Sequence, residues 1–213
     1  MNTTRDPDEG LPPLRLVVLA GRGAGSGSAA GAAGGDPLAA RFAESHRCLI
    51  PLAGRPLIAH VLQTAAQHPR VTSLAICVER EAFDPIWDVL TRLPGRGSVA
   101  LVEAQADLAA SVRAATQGWD GAVLVTTADH ALLSGGAIDA MIAALESADV
   151  AFSLAPRAAV EAAHPRAERG FIALHDGDYA ACDLYGMASP RFVGAVRIFG
   201  GARAAGQEGA RIR

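Results

Sequence analysis

Short apolar runs alternate with segments of helical period along most of this chain, and that rhythm leaves few folds open. Residues 14–20 (LRLVVLA), 73–78 (SLAICV), 99–102, 122–126 and 150–154 read as strands. Between them, helices are expected at 56–67, 83–92, 108–117 and 136–146, the last with Ile138, Met141, Ile142 and Leu145 turned inward. Pro56 suits the first turn of its helix. A helical turn is expected around 37–42 and a short extended piece at 48–52. Strands alternating with helices of this length predict an α/β fold, a mostly parallel sheet with helices on both faces.

After Ala155 the rhythm changes. Residues 156–169 are polar and basic and suggest no element. Residues 170–174 and 179–184 read as two strands joined by the turn His175-Asp176-Gly177-Asp178. Residues 189–199 suggest a last helix. The expected organisation is a disordered segment over 1–13, a single domain over 14–199 and a loose Gly/Ala/Arg-rich tail over 200–213.

Composition excludes several function classes. All 19 basic residues are arginine, so a Schiff-base lysine and a Walker A lysine are both impossible. Any cation that binds phosphate here is an arginine, a metal or a helix N-terminus. The net charge of -3 gives no footprint for nucleic acid. Cys48, Cys77 and Cys182 are far apart, form no CxxC pair and read as small core residues. The first residues do not form a signal peptide, and no apolar run approaches the ~20 residues of a membrane helix. A soluble, cytoplasmic protein without membrane insertion is expected, its oligomeric state open.

The chemistry-bearing features are a loop and an acid. Residues 21–36 are almost entirely Gly, Ala and Ser, with Arg22 the one side chain of chemical use. Glycine-rich turns after a first strand approach phosphates through backbone N–H groups. The dinucleotide fingerprint G-x-G-x-x-G fails, because Gly21 and Gly23 are followed by Ser26, although Glu79 stands where a ribose-binding acid would. Asp129 follows the strand at 122–126 beside Thr126 and Thr127. An acid at a strand's carboxyl end can hold a hard divalent cation and the phosphates it bridges. The alternative is an N-cap for the helix beginning near Ser134.

These features occur in ordered motifs. They are LVVLAGR at 16–22, Asp36-Pro37-Leu38-Ala39, SHRCLIPLAGRPL at 45–57, TADHALL at 127–133 and YAACDLY at 179–185. Over roughly 14–190 the chain thereby resembles the MobA-like NTP transferases, GT-A-like nucleotidyltransferases with a three-layer, mixed, Rossmann-like sheet. The resemblance implies a nucleotide-binding set of Leu19, Ala20, Gly21, Arg22, Arg47 and Ser111. It implies Arg22 and Arg47 as the catalytic cations, and Asp129 with Asp183 as holders of Mg2+. Arg47 stands where the family has lysine, Ala131 where many members have proline, and the first loop is longer than usual. For each residue a structural reading stands alongside: a solvated arginine at Arg47 and Arg22, a satisfied buried acid at Asp183, an exposed helix residue at Ser111. His130 and His46 are expected to shape the pocket. Arg157, Arg166 and Arg169 form a basic patch that suits an acidic acceptor or a solvated face.

The implied reaction joins a nucleoside monophosphate, from CTP or GTP foremost, to a phosphorylated small-molecule acceptor and releases pyrophosphate. An acceptor phosphate is already largely ionised at neutral pH, so no side-chain base is required. A nucleotide-binding protein of the same fold with weakened catalysis, and a Rossmann-type NAD(P) oxidoreductase, are the alternatives.

Overall fold

The computed structural model describes residues 13–22, 36–94, 97–166 and 170–196. Residues 1–12 of the expected N-terminal segment, the C-terminal tail, most of the first loop and Arg169 lie outside these residues.

Nine strands and six α-helices are described: β1 (Leu14–Leu19), α1 (Pro37–Arg41), β2 (Pro51–Leu52), β3 (Arg55–Pro56), α2 (Leu57–Gln67), β4 (Val71–Val78), α3 (Phe83–Leu90), β5 (Ser98–Glu103), α4 (Leu108–Ala115), β6 (Ala122–Thr127), α5 (Gly135–Leu145), β7 (Val150–Pro156), α6 (Arg157–Ala163), β8 (Ile172–Leu174) and β9 (Gly177–Met187). Seven strands form one sheet in the order β5-β4-β1-β6-β9-β7, with β8 on β9. β4 and β6 flank β1 in parallel, as β5 flanks β4, while β9 runs antiparallel to β6, β7 and β8. The mixed three-layer α/β expectation is met.

Alternation along the strands builds two cores. Leu14, Leu16 and Val18 pack with Leu74, Ile76 and Leu124 beneath α2, α3 and α5. Val17 and Leu19 turn to the other face, with Cys77, Val123 and Val125, against Val112 of α4. Because both faces are covered, each central strand is apolar at nearly every position. From β1 the chain steps outward to β4 and β5. It then returns across the second face through α4 and lays β6 on the other side of β1. The strand order therefore reverses between β1 and β6, the place where open α/β sheets bind ligands.

Four expectations are corrected. Residues 157–163 form helix α6, with Val160 buried. β9 runs on to Met187, three residues past its expected end. Of the last helix expected over 189–199, the described residues form a 3-10 turn, Pro190–Ala195, and 197–199 lie outside them. Arg47–Leu49 is a 3-10 turn instead of extended chain, and only Pro51–Leu52 pairs, with Arg55–Pro56. Cys48 and Cys77 are buried as expected, whereas Cys182 is only half-buried.

Candidate functional site

The carboxyl ends of β1, β4 and β6 are level. Leu19 sits opposite both Cys77 and Thr127. Backbone hydrogen bonds continue the ladder past the strands, from Ala20 N–H to Cys77 O (2.8 Å) and from Ala128 N–H to Leu19 O (2.9 Å). Gly21, Glu79 and Asp129 therefore emerge along one edge, over the point where the strand order reverses. Gly21 is needed there: a Cβ would stand 3.2 Å from Ala104 Cβ and 3.3 Å from Glu79 Oε1.

Glu79 ties the start of the first loop down. Its Oε1 accepts the Arg22 N–H at 2.9 Å and its Oε2 accepts from His46 Nε2 at 3.0 Å. Because the carboxylate only accepts, the His46 proton is on Nε2, and the Ser45 hydroxyl donates to Nδ1 at 2.9 Å. His46 is fully buried, and its bond to Glu79 helps fix the edge on which Gly21 stands. Glu79, a candidate ribose-binding acid by its position in the sequence, is engaged in holding the loop. Burial pushes the Glu79 carboxyl up, but the bonds from His46 and Arg22 outweigh it and hold it at about 2. The depressed value adds stability above the usual carboxylate range, and the contribution is lost as pH falls from about 4.5 towards 2. The carboxylate is a quarter exposed, so solvent reduces the contribution to about 2 kcal/mol. Glu79→Gln is expected to lower stability at pH 7 by that amount and to flatten the acid limb of the stability–pH profile; denaturant melts at pH 7, 4 and 2.5 check it.

Ser111 is buried, not exposed. Its Oγ accepts the Gln105 N–H (2.9 Å) and donates to Asp107 O (3.1 Å). It lines a cleft of about 120 Å³ with Leu19, Gly21, Cys77 and Gln105, so three of the expected nucleotide-contacting positions share one wall. A larger cavity of about 600 Å³ lies at the opposite, amino end of β4 and β5. Among the described residues its lining holds no carboxylate and no arginine, and it carries none of this chemistry.

On the other side of Gly21 stand Arg47 and Asp129, which line a small depression with Leu19, Ala20 and Gly21. Arg47 Nε donates to Asp36 Oδ2 at 2.6 Å, and its Nη1 donates to Asp129 Oδ2 at 3.5 Å. In the sequence Asp36 stands only at the head of the motif Asp36-Pro37-Leu38-Ala39, with no role implied for it. Its Oδ1 caps α1, accepting from Leu38 N–H and Ala39 N–H, while Oδ2 holds Arg47. Burial pushes the Asp36 carboxyl up, but Arg47 and these amides hold it below its ordinary value. Asp129 does not cap α5; Ser134 does, accepting from Ala137 N–H. The Asp129 side chain is 15% exposed, and its Oδ1 is buried without a hydrogen-bond partner.

The remaining expected residues are placed less centrally. The Arg22 guanidinium pairs with Glu81 at 2.7 Å, at the surface. Asp183 lies on β9, where a register shift sets Phe152 against Tyr185 but Leu154 against Ala181. Its backbone carbonyl accepts from Thr126 Oγ1 at 2.5 Å and lies 3.2 Å from His130 Nδ1. Arg157, from the expected basic patch, is paired with Glu161 and Asp178 on the surface. Among the described residues no group of three His, Cys, Asp or Glu side chains forms a metal cage, and no helix is long and apolar enough to cross a membrane.

Solved structures share this architecture. A hypothetical transferase from Thermus thermophilus is 22% identical, with a TM-score of 0.63 over 92% of this chain and 73% of its own. The 4-diphosphocytidyl-2C-methyl-D-erythritol synthase of Anaerococcus prevotii is 13% identical, with a TM-score of 0.61 over 92% of this chain and 83% of its own. A CMP:2-keto-3-deoxy-manno-octonic acid synthetase complexed with CTP is 11% identical, with a TM-score of 0.59 over 87% of this chain and 78% of its own. At these identities the likeness is one of fold. Among curated proteins no sequence matches this chain. The profile of the MobA-like NTP transferase domain matches residues 29–181, most of the chain, with Arg47, Glu79, Ser111 and Asp129 inside the match. The chain belongs to the MobA-like NTP transferase family of nucleotidyltransferases.

Proposed function

We propose that this protein transfers a nucleoside monophosphate from an NTP to a phosphorylated small-molecule acceptor and releases pyrophosphate. The observation that carries the reading is Asp129 Oδ1, a buried carboxylate oxygen with no partner, beside Gly21 at the point where the strand order reverses. A buried acceptor left unpaired costs about 1–3 kcal/mol, a cost that functional sites accept where a ligand completes the site.

Mg2+ suits this donor set. It is held through one or two carboxylates plus substrate phosphates, so the lack of a three-residue cage among the described residues is no obstacle. Asp129 would be the principal holder, with Asp183 the second. When bound, the ion would neutralise phosphate charge and polarise the α-phosphorus. The rest falls to the chain. Backbone and side chains of Leu19, Ala20, Gly21 and Ser111 form the wall on which base and ribose lie. Arg47 is held by Asp36 so that its guanidinium stays at the phosphate end of that wall, and an arginine fork suits phosphate oxygens. Arg22 reaches the β- and γ-phosphates by leaving Glu81, an exposed partner at the surface. An oxygen of the acceptor phosphate then attacks the α-phosphorus in line. A new P–O–P bond forms, the α–β bond breaks, and pyrophosphate departs with the electron pair. The protein acts by positioning and charge, without a general base.

CTP is the preferred candidate nucleotide, since two structures of this fold bear cytidine nucleotides in their names, and GTP is the next. The test is pyrophosphate release from CTP, GTP, ATP and UTP with Mg2+ and a panel of sugar and polyol phosphates. Release that needs both NTP and acceptor is expected. Thermal stabilisation by an NTP without turnover on any acceptor would reject transfer and leave nucleotide binding. Stabilisation by NAD(P) alone would reject both.

A further inference from the structure

The geometry fixes which nitrogen of His130 carries the proton, and that has a consequence for the acceptor. His130 Nδ1 lies 3.0 Å from Thr126 Oγ1 and 3.2 Å from the carbonyl oxygen of Asp183. Thr126 Oγ1 itself lies 2.5 Å from that same carbonyl. A carbonyl oxygen only accepts. The Thr126 hydroxyl has one proton, which goes to Asp183 O, so it offers Nδ1 nothing but lone pairs. Both neighbours of Nδ1 are therefore acceptors, and Nδ1 bears the hydrogen. In the neutral ring Nε2 then holds the lone pair. Among the described residues Nε2 has no hydrogen bond and is not completely buried, one residue along from Asp129.

This arrangement is built into the sheet. The β6–β9 register ends at Thr126 opposite Leu184, and the carbonyl of the residue before it, Asp183 O, meets the Thr126 and His130 side chains. On the far side, the Ser153 hydroxyl of β7 donates to Leu184 O at 3.0 Å, across the register shift in β9. Side chains from both neighbouring strands thus pin the irregular stretch that carries Asp183. Bulged strands beside sites commonly aim a side chain in this way. His130 is fixed to the same unit.

His130 also stands on a different flank from the nucleotide wall. Leu19, Gly21, Cys77 and Ser111 belong to β1, β4 and α4 and lie towards β5, whereas His130 is bonded to β6 and β9. Asp129 separates the two. On the transferase reading, on which this inference rests, the acceptor enters over β6 and β9.

We propose that His130 is a specificity residue for the acceptor, and that its Nε2 accepts a hydrogen bond from a hydroxyl of a polyol or sugar phosphate. A fixed lone pair selects a donor. An ionised phosphate offers none, so the group it recognises is a hydroxyl near the reacting phosphate. A site that hydrogen-bonds a hydroxyl rejects the analogue that lacks it.

Two measurements test this. In His130→Asn the amide nitrogen replaces Nδ1, keeps the donor to Asp183 O and Thr126, and leaves nothing at Nε2. The variant is expected to melt with wild type and to bind Mg2+ and NTP equally tightly. Its KM for a polyol phosphate should rise about tenfold with kcat little changed, and the wild-type preference over the matching deoxy phosphate should close. The second measurement is the 15N spectrum of the neutral imidazole, in which Nδ1 is expected at the protonated position and Nε2 at the unprotonated one. A proton on Nε2, or a wild-type preference for the hydroxylated acceptor that survives in His130→Asn, overturns the proposal. Turnover that is intact but indifferent to the variant removes this inference alone. A wild type that turns over no acceptor removes the transferase reading and this inference with it.

Discussion

Asp129→Ala is expected to lower pyrophosphate release by about a thousandfold while leaving the melting temperature unchanged or raised by a few degrees. The two effects have separate causes. The loss of activity follows from removing the carboxylate on which metal and triphosphate would meet, and one preorganised charge at a reacting centre is typically worth about 10²–10³ in rate. The stability effect follows from the hydrogen bonds of the free protein. Asp129 Oδ1 is buried with no partner, and Oδ2 makes one long contact of 3.5 Å with Arg47. Removing an unsatisfied buried oxygen recovers about 1–3 kcal/mol. Losing the long contact costs less than ~1 kcal/mol, because Arg47 keeps Asp36 at 2.6 Å. A net gain near 1 kcal/mol corresponds to about 2–4 °C in a domain of this size. Thermal melts of the apo proteins, together with calorimetric titration of Mg2+ and CTP, separate the two. A variant that binds metal-NTP as tightly as the parent would refute the assignment, and one that melts well below it would show that Asp129 supports the fold.

Such a site shows only partly in a sequence, and the reasons differ by residue. Asp129 was legible because a strand run stops on an acid, and the end of a strand in this fold is an edge. Leu19, Ala20 and Gly21 were marked only by the resemblance to the family, since their small apolar side chains carry no chemistry that spacing could report. Asp36 and Glu79 stood out in the sequence, one in a motif and one as a candidate ribose-binding acid, but the partners they hold were not legible, because Arg47, Arg22 and His46 reach them across the fold. Glu79 meets Arg22 over 57 residues and His46 over 33, and no local period reports such pairs. The secondary structure divides in the same way. Strands and helices of the two cores were readable from apolar spacing. Helix α6 was missed because Val160 is its one buried residue; its Ala-rich composition and the Arg157–Glu161 pair at 2.7 Å were the available signals. The end of β9 was placed too early because Gly186 reads as a break. In the structure Met141 and Leu145 of α5 approach it so closely that a Cβ would lie 3.0 Å from either, so the glycine lets helix and strand pack.

Arg47→Ala is the second large effect, and it should appear in both stability and binding. Asp36 is 4% exposed and has Arg47 as its cation at 2.6 Å. Removing the guanidinium leaves that carboxylate buried without this cation, and takes from Asp129 Oδ2 its contact as well. Breaking a fully buried pair costs about 3–5 kcal/mol, but the amides of Leu38 and Ala39 still serve Asp36 Oδ1, which brings the expected loss to about 2 kcal/mol. NTP binding should weaken about a hundredfold, the contribution of a charge-assisted contact to phosphate at a partly enclosed site. The conservative variant is the sharper test. An ammonium is a point charge on a flexible stem, whereas Arg47 uses Nε for Asp36 and Nη1 for Asp129, two contacts set by a rigid plane. Arg47→Lys is therefore expected to recover about half of the stability lost by the alanine variant and to remain about tenfold weaker for NTP than wild type. The same geometry gives Asp36→Asn a defined result. The cap on α1 survives, because the remaining carbonyl oxygen still accepts from Leu38 and Ala39. An NH2 group then replaces Oδ2 and meets the Arg47 Nε–H donor to donor, so the guanidinium is no longer held. NTP affinity should fall about tenfold with little change in melting temperature. Denaturant melts and NTP titrations of the three variants decide the matter: if Arg47→Ala binds NTP within about threefold of wild type, Arg47 serves the fold through Asp36 and takes no part in gripping phosphate.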